Sequence, residues 1–390
     1  MKKRIIFVVS YVNGGVGRVI GLLANGLISA GYDVTVIFTE KENDANFCHN
    51  ERIEIVYLDN LVENKKTQDA AAYILMFFAR AIGKFGISEY SSIYKFYSKN
   101  YNKISALKKY CHDSHNATVI AFLYSAIFMS LLAVGDGQRL IISDRGDPGQ
   151  SHASKTDAAF FKEMFPKADH MVFQSPGVQE WYMANVGLKG TVIYNPIKDN
   201  LPQPYQGKRK KRIVNFCRLT PQKNLFLLLE SFEQLVQEYP DYELYIYGSA
   251  PKNAIKYAND FLKAVSASAC ADNVYIFPAR ADIHEEILDY AMFVSSSDYE
   301  GMSNSMLEAM AIGLPTICTD CPAGGARAVI QDHGNGLLVP VNDANALYLA
   351  MKEIIENPEL AEKLSQNSRK IRETQSSEKI MQQWMEIIND

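Results

Sequence analysis

Short runs of apolar, β-branched residues alternate with amphipathic stretches along the whole 390-residue chain. In the first half, residues 5–9, 34–38, 53–58, 118–121, 140–143, 170–173 and 191–194 read as strands, with segments of helical period such as 18–30 and 176–185 between them. The second half repeats the rhythm, with strands predicted at 212–217, 243–247, 274–277, 291–294, 315–318 and 336–339. Strands alternating with helices of this length imply parallel sheets built from βαβ units. Between the halves lies "YNPIKDNLPQPYQGKRKKR", residues 194–212, which is rich in proline and has no period. The pattern predicts an α/β chain of two doubly wound, Rossmann-like domains facing each other across a cleft. Their expected bounds are 1–196 and 212–375, with a linker at 197–211 and a helix at 376–390 packing back toward the first domain.

The first strand runs into "SYVNGGVGRVI", residues 10–20, a glycine-rich turn leading into a helix. Such turns hold phosphate groups. A nicotinamide dinucleotide requires glycine at the first, third and sixth positions of the turn. Gly15 and Gly17 meet two of these, but Ile20 occupies the sixth, where glycine permits close helix–strand packing. The turn fits a phosphate cradle, and its ligand has to be identified from elsewhere in the chain.

Composition narrows the options. With 47% hydrophobic and 22% charged residues, the chain has globular composition, and a net charge of −4 gives no reason to expect nucleic acid. Six cysteines at 48, 111, 217, 270, 318 and 321 are too few and too scattered for a disulfide scaffold. Cys318 and Cys321 form a C-x-x-C with no second pair to complete a zinc site, and free thiols are expected. The apolar run after Lys2-Lys3-Arg4 ends at Ser10, too early for a signal peptide, and no stretch approaches the length of a transmembrane helix. A cytoplasmic protein is expected, with peripheral membrane contact left open.

The most informative stretch is "SSSDYEGMSNSMLEAMAIGLPTICTDCPAGG", residues 295–325. Glu300 lies in a polar loop and Glu308 early in the following helix. The backbone N–H groups of 301–305 lie between them at a helix N-terminus, which favours phosphate. Carboxylates suit hydroxyl groups, which donate to them. Hydroxyl, phosphate, hydroxyl is the layout of a nucleotide sugar. Ser305-Met306-Leu307-Glu308 also matches a capping box, in which Glu308 would serve only backbone donors. Upstream, "VNFCRLTPQKNLFLLLESF", residues 214–232, places Arg218 and Lys223 where a strand ends and a helix starts, a pairing suited to a diphosphate. Lys223 alone would also fit as a solvated lysine at a helix entry.

Together these stretches resemble the retaining nucleotide-sugar glycosyltransferases of family 4, which have the GT-B fold. The match rests on Arg218, Lys223, Glu300 and Glu308 in "RLTPQKNL" and "EGMSNSMLEAMAIGLPTI", in the order and separation of the family signature. It departs at Cys217, where glycine is usual, and at Met302-Ser303-Asn304, where a Phe-Gly pattern is common. The resemblance implies that Arg218 and Lys223 bind the donor diphosphate and stabilise it as leaving group. Glu300 would hold the transferred sugar, Met302, Ser303 and Asn304 would present backbone amides, and Glu308 would hold the ribose. Gly15 and Arg280 are further donor-side candidates, Arg280 because "FPAR" at 277–280 lies where the family contacts the base. On the acceptor side the candidates are Gly14 and, in "IISDRGDPGQSH" at 141–152, Asp144 and Arg145. That loop resembles one found in capsule and exopolysaccharide enzymes, and equally suits a surface loop with internal ion pairs.

No Asp-x-Asp occurs, and "HEEIL" at 284–288 has Leu288 where a zinc helix needs its second histidine. The resemblance likewise implies a metal-independent enzyme without cofactor, its donor a UDP-linked hexose or N-acetylhexosamine and its acceptor a glycan, lipid-linked in many relatives. Residues 61–112 carry nine Lys or Arg against three acids, interleaved with aromatics. That pattern suits an anionic membrane surface, and equally ordinary helices packed on a sheet. Two other GT-B readings remain: a non-catalytic partner subunit, marked by loss of one of the four charged residues, and a sugar-nucleotide epimerase.

Overall fold

The structure is a computed structural model that describes residues 3–10, 15–40, 50–62, 88–135, 137–151, 161 and 163–390. The chain divides into two compact units, Met1–Asn195 with Ile380–Asp390, and Pro196–Lys379.

The first unit is built on seven parallel strands: β1 (Arg4–Val9), β2 (Asp33–Phe38), β3 (Glu54–Tyr57), β4 (Thr118–Phe122), β5 (Arg139–Ser143), β6 (His170–Phe173) and β7 (Thr191–Val192). Their order is β3-β2-β1-β4-β5-β6-β7. Every side chain from Ile5 to Val9 is buried, so β1 is covered on both faces, as expected of a central parallel strand. The helix Gly15–Ser29 lays Val19, Ile20, Leu23, Ala24 and Leu27 into the core at helical spacing. Ile20, which breaks the dinucleotide pattern, is therefore a core residue. The same core takes Ile380, Trp384, Ile387 and Ile388 from the C-terminal helix Ser377–Asn389, with Trp384 5.7 Å from Phe122 between ring centroids.

Of the basic stretch at 61–112, residues 63–87 lie outside the described residues. Its described part contains the helices Ser88–Lys99 and Tyr101–Asp113. Ile104, Ala106, Leu107 and Cys111 are buried, while Tyr94, Lys95, Lys99, Lys108 and Lys109 are exposed. Lys103 is engaged within the unit, donating to the Thr39 carbonyl at 2.5 Å and lying within 4 Å of Glu40 and Asp59. Among the described residues no helix is long and apolar enough to cross a membrane.

The second unit holds six parallel strands: β8 (Lys210–Phe216), β9 (Glu243–Tyr247), β10 (Val274–Phe277), β11 (Tyr290–Ser295), β12 (Thr316–Thr319) and β13 (Leu337–Val339). They run in the order β10-β9-β8-β11-β12-β13. In each sheet the first strand of the unit pairs with both the second and the fourth. The chain thus reverses its winding direction between β1 and β4, and again between β8 and β11. Such switch points leave a crevice at the carboxyl ends of the strands, where open α/β sheets take ligands.

The proline-rich segment behaves differently from a free linker. The linker expected at 197–211 ends at Arg209, because the Lys210 N–H already donates to the Asp289 carbonyl and β8 begins there. The residues before β8 are fastened to the second unit. Arg372 donates to the carbonyls of Leu201 and Pro202, Arg369 donates to that of Tyr205, and the Ile197 N–H donates to the Gln375 carbonyl. Arg209 itself donates to the carbonyls of Leu288, Tyr290 and Gly313 and to Ser365 Oγ. Burial lowers its pKa to about 10, leaving it protonated at neutral pH. The half-buried Arg209 thus clamps the segment to the second unit. Arg209→Met should leave those carbonyls without their donor and destabilise the unit by about 2 kcal/mol or more. A clear drop in melting temperature by calorimetry is expected; an unchanged melting temperature would show that Arg209 does not clamp the segment.

Candidate functional site

The site is assembled from the two loops that leave β8 and β11 at the switch point. After β8 the backbone continues alongside β9, with the Cys217 N–H donating to Tyr247 and the Leu219 N–H to Ser249. The approach is close: a Cβ on Gly248 would lie 2.1 Å from the Cys217 carbonyl oxygen, so glycine is required there. Pro221–Lys223 then forms a short 3-10 turn, and Asn224 turns the chain at φ 40° and ψ 56°. This left-handed geometry is one that asparagine tolerates better than most residues. The Asn224 side chain accepts from the Leu227 N–H and so caps the helix Leu225–Glu238. Its amide also donates to Asp298 at 2.6 Å, tying the first loop to the second.

That stitching is repeated along the loop after β11. The Asp298 N–H donates to the Gln222 carbonyl, the Gln222 side chain donates to the Tyr299 carbonyl, and Ser296 Oγ donates to the Lys223 carbonyl. From the other side, Thr319 Oγ1 and the Cys321 thiol both donate to the Ser297 carbonyl. Cys318 and Cys321 are buried thiols not joined in a disulfide, and burial pushes the Cys318 thiol far above its ordinary range.

Within this frame Lys223 and Glu300 meet in a direct ion pair, their side chains 11% and 20% exposed. Burial pulls the Lys223 pKa down, but the Glu300 carboxylate outweighs it and the net direction is upward, so Lys223 is a firm cation. The Cys217 thiol shares this neighbourhood, and burial raises its pKa to about 12, leaving it uncharged. Arg218 is exposed, with Nη2 3.2 Å from Gln222 Oε1.

Past Glu300 the chain enters the helix Asn304–Ala311, capped by Ser303, whose Oγ accepts from the Met306 N–H. The capping box suggested by Ser305 and Glu308 does not form. Ser305 Oγ donates to the Phe216 carbonyl at 2.5 Å, and the Glu308 carboxylate is 2.6 Å from His284 Nε2. Lys198 Nζ is 4.0 Å from the same carboxylate oxygen. Met302 and Ser303 are buried and Asn304 half-buried, in a loop backed by Gly325. A Cβ on Gly325 would lie 1.8 Å from the Gly301 carbonyl oxygen.

The remaining candidates fall elsewhere. Arg280 is ion-paired with Asp282 and Glu286, and Glu286 also accepts from Tyr247. In the first unit, Gly15 opens the helix Gly15–Ser29, while Gly14 lies outside the described residues. Asp144 is buried and accepts from the Tyr182 hydroxyl at 2.8 Å and from the Gly146 N–H. Arg145 donates to the Ile193 carbonyl and to Asn195, and its guanidinium lies over the Phe122 and Trp384 rings at 5.6 and 5.7 Å. The start of this loop is therefore packed into the unit and is not a surface turn of ion pairs. Among the described residues no group of three or more metal-ligating side chains comes together. Gln222, Asn224 and His284 were not singled out as site residues from the sequence. Only His284 carried a signal, in a motif read for zinc.

Two Rossmann-like domains of this strand order are the architecture of the GT-B fold. The structure superposes on that of HepE from Anabaena in complex with UDP with a TM-score of 0.77, at 17% identity and covering 100% of both chains. The family model described as Glycosyltransferase Family 4 matches residues 13–201, and the one described as Glycosyl transferases group 1 matches residues 198–371. The two halves of the chain thus carry glycosyltransferase domains, of family 4 in the first and group 1 in the second. It is 28% identical over 178 residues to an uncharacterized glycosyltransferase of Haemophilus influenzae, covering 46% of this chain and 49% of that one. It is 26% identical over 267 residues to a Campylobacter jejuni N-acetylgalactosaminyltransferase acting on a diphospho-undecaprenol-linked sugar, covering 65% of this chain and 71% of that one. The chain thus spans about half the length of the first of these relatives and less than three quarters of the second.

The contact of Gly325 with Gly301 gives a direct test of the frame. Gly325→Ala should displace the 301–303 loop, because the added Cβ would meet the Gly301 carbonyl oxygen. Faster amide hydrogen exchange at residues 301–303 in a variant with native circular dichroism would check this, and wild-type exchange there would contradict it.

Proposed function

We propose that this protein is a retaining glycosyltransferase that moves a hexose or N-acetylhexosamine from a UDP-sugar to a glycan acceptor, lipid-linked, in bacterial surface-polysaccharide synthesis. The observation that carries the reading is the meeting of Lys223 and Glu300 at the switch point of the second unit. Arg218 lies on the same loop as Lys223, and Glu308 on the helix that follows Glu300. Two cations at the end of β8 suit a diphosphate, Arg218 as an exposed fork of donors and Lys223 as a firm point charge. A diphosphate between them competes with Glu300 for Lys223, which frees the carboxylate to accept from sugar hydroxyls. The N–H groups around Met302, Ser303 and Asn304 open a capped helix, where partial positive charge favours phosphate oxygens.

In the transfer itself, the bond from the anomeric carbon to the donor's terminal phosphate oxygen breaks as the acceptor hydroxyl bonds to the same face of that carbon. The departing phosphate takes the acceptor proton. Arg218 and Lys223 act where charge develops, on the leaving diphosphate, which is the most effective place for fixed charges in an active site. This route needs neither a metal nor a protein base. The name of the Campylobacter jejuni relative specifies an α-linked product on a lipid diphosphate, and HepE was crystallised in complex with UDP; together these favour a UDP donor and a lipid-linked acceptor. Arg280, in the loop after β10, is assigned to the donor as well, and the resemblance assigns Gly15 to it. Gly14, Asp144 and Arg145 belong to the acceptor side, where Asp144 and Arg145 fix the loop after β5. Exposed Tyr94, Lys95, Lys99 and Lys108 support peripheral contact with the inner face of an anionic membrane.

Glu300→Gln keeps a hydrogen-bonding group beside Lys223 while removing the charge. It should lower turnover by at least about a hundredfold, with circular dichroism showing the fold kept even though leaving Lys223 unpaired lowers the melting temperature. Nucleotide release from a panel of UDP- and GDP-sugars, measured with and without acceptor lipid, gives the readout. Acceptor-independent conversion of the donor to its epimer would favour an epimerase, and no turnover with any donor would favour a non-catalytic subunit. Chelation with EDTA should leave turnover unchanged; a loss restored by a divalent cation would overturn the metal-free route.

A further inference from the structure

We infer that His284 is the positioning residue for the nucleotide's ribose, acting through Glu308. The inference rests on the reading of Glu308 as the ribose-binding carboxylate. A carboxylate that binds a vicinal diol must be ionised, buried enough to exclude water, and fixed in rotation so that an oxygen meets the hydroxyls. Ionisation and burial together are costly unless hydrogen bonds and charge compensate. His284 and Lys198 contribute to that compensation. His284 Nε2 lies 2.6 Å from Glu308 Oε2, both side chains are at most 7% exposed, and the Lys198 ammonium is 4.0 Å from the same oxygen. An ionised carboxylate only accepts, so the ring nitrogen facing it carries the proton and donates.

His284 is itself held. Its ring meets Phe216 edge-to-face at 5.9 Å, and Phe216 is the last residue of β8, whose carbonyl accepts from Ser305 at the start of the helix that carries Glu308. Lys198 is held by donating to the Ala281 carbonyl, three residues before His284. Strand end, histidine, lysine and carboxylate therefore form one connected set, anchored in the same frame that carries Lys223. Oε2 is committed to His284, which sets the carboxylate plane and directs its accepting capacity toward the ribose. The "HEEIL" segment, which lacks the second histidine of a zinc helix, thus has a different use. Its histidine orients an acid on another helix, much as outer groups orient the ligands of a metal.

The test compares binding of UDP and 2′-deoxy-UDP by isothermal titration calorimetry to the full chain, with thermal melts to confirm folding. In the wild type the ribose hydroxyl should be worth about tenfold or more in affinity. His284→Ala should erase most of that preference, weakening UDP by about tenfold while leaving 2′-deoxy-UDP nearly unchanged. His284→Gln, which keeps an N–H donor on a side chain of comparable reach, should restore a substantial part of it. Equal weakening of both nucleotides in His284→Ala would mean a packing role only, and an intact preference in that variant would mean no role; either overturns the inference. Glu308→Gln tests the underlying reading separately. If it keeps the full preference for UDP, the ribose assignment of Glu308 falls, whatever His284 does.

Discussion

The ion pair between Lys223 and Glu300 is the constraint on which the rest of the site depends. A lysine and a glutamate that are mostly buried gain little net stability from each other, since desolvation offsets much of their attraction. What the pair fixes is position. It joins the loop after β8 to the loop after β11 and holds a cation and a carboxylate at the switch point of the sheet. The neighbouring hydrogen bonds serve the same end: Gln222 and Asn224 on one loop, and Ser296, Asp298 and Tyr299 on the other, leave neither loop able to move without the other. A charge pair held this way is preorganised, and preorganised charge is what the proposed cleavage of a sugar–phosphate bond requires.

Close backbone packing makes that arrangement possible. Gly248 lets the segment after β8 lie against the extension of β9, and Gly325 lets the loop after β12 press on Gly301 from behind. Neither glycine touches a charged group of the site. Each sets a backbone path: Gly248 that of Arg218, and Gly325 that of the 301–303 amides. The arginines that fasten the proline-rich segment, Arg209, Arg369 and Arg372, act one layer further out, holding the chain entry against the second unit.

The fold was highly legible in the sequence, because strands buried on both faces leave continuous apolar runs that helices interrupt at regular intervals. All the predicted strands appear, with ends shifted by a residue or more in places, as at β8, which starts two residues before the predicted position. The proline-rich segment was harder to read. Proline and missing periodicity correctly exclude a helix, but they carry no information about carbonyls that distant arginines will claim. That Lys223 and Glu300 lie together was legible by spacing, because each follows the end of a neighbouring strand. Glu308 was ambiguous because Ser305 and Glu308 satisfy a capping pattern, and only the structure shows Ser303 taking the cap and Glu308 turning to His284. Arg145 reads in the sequence as an acceptor-side candidate or as part of a surface loop of ion pairs, yet its partners Ile193, Asn195, Phe122 and Trp384 lie far from it along the chain, which no local pattern reveals.

The central claim is that the second unit grips a diphosphate through Lys223. The most direct measurement is the affinity of the protein for UDP relative to uridine, by calorimetry, in the wild type and in Lys223→Gln. The difference between the two ligands isolates what the diphosphate contributes. That difference should be large in the wild type and fall by about tenfold or more in the variant, with uridine binding little changed. An unchanged difference would place the diphosphate elsewhere and contradict the account.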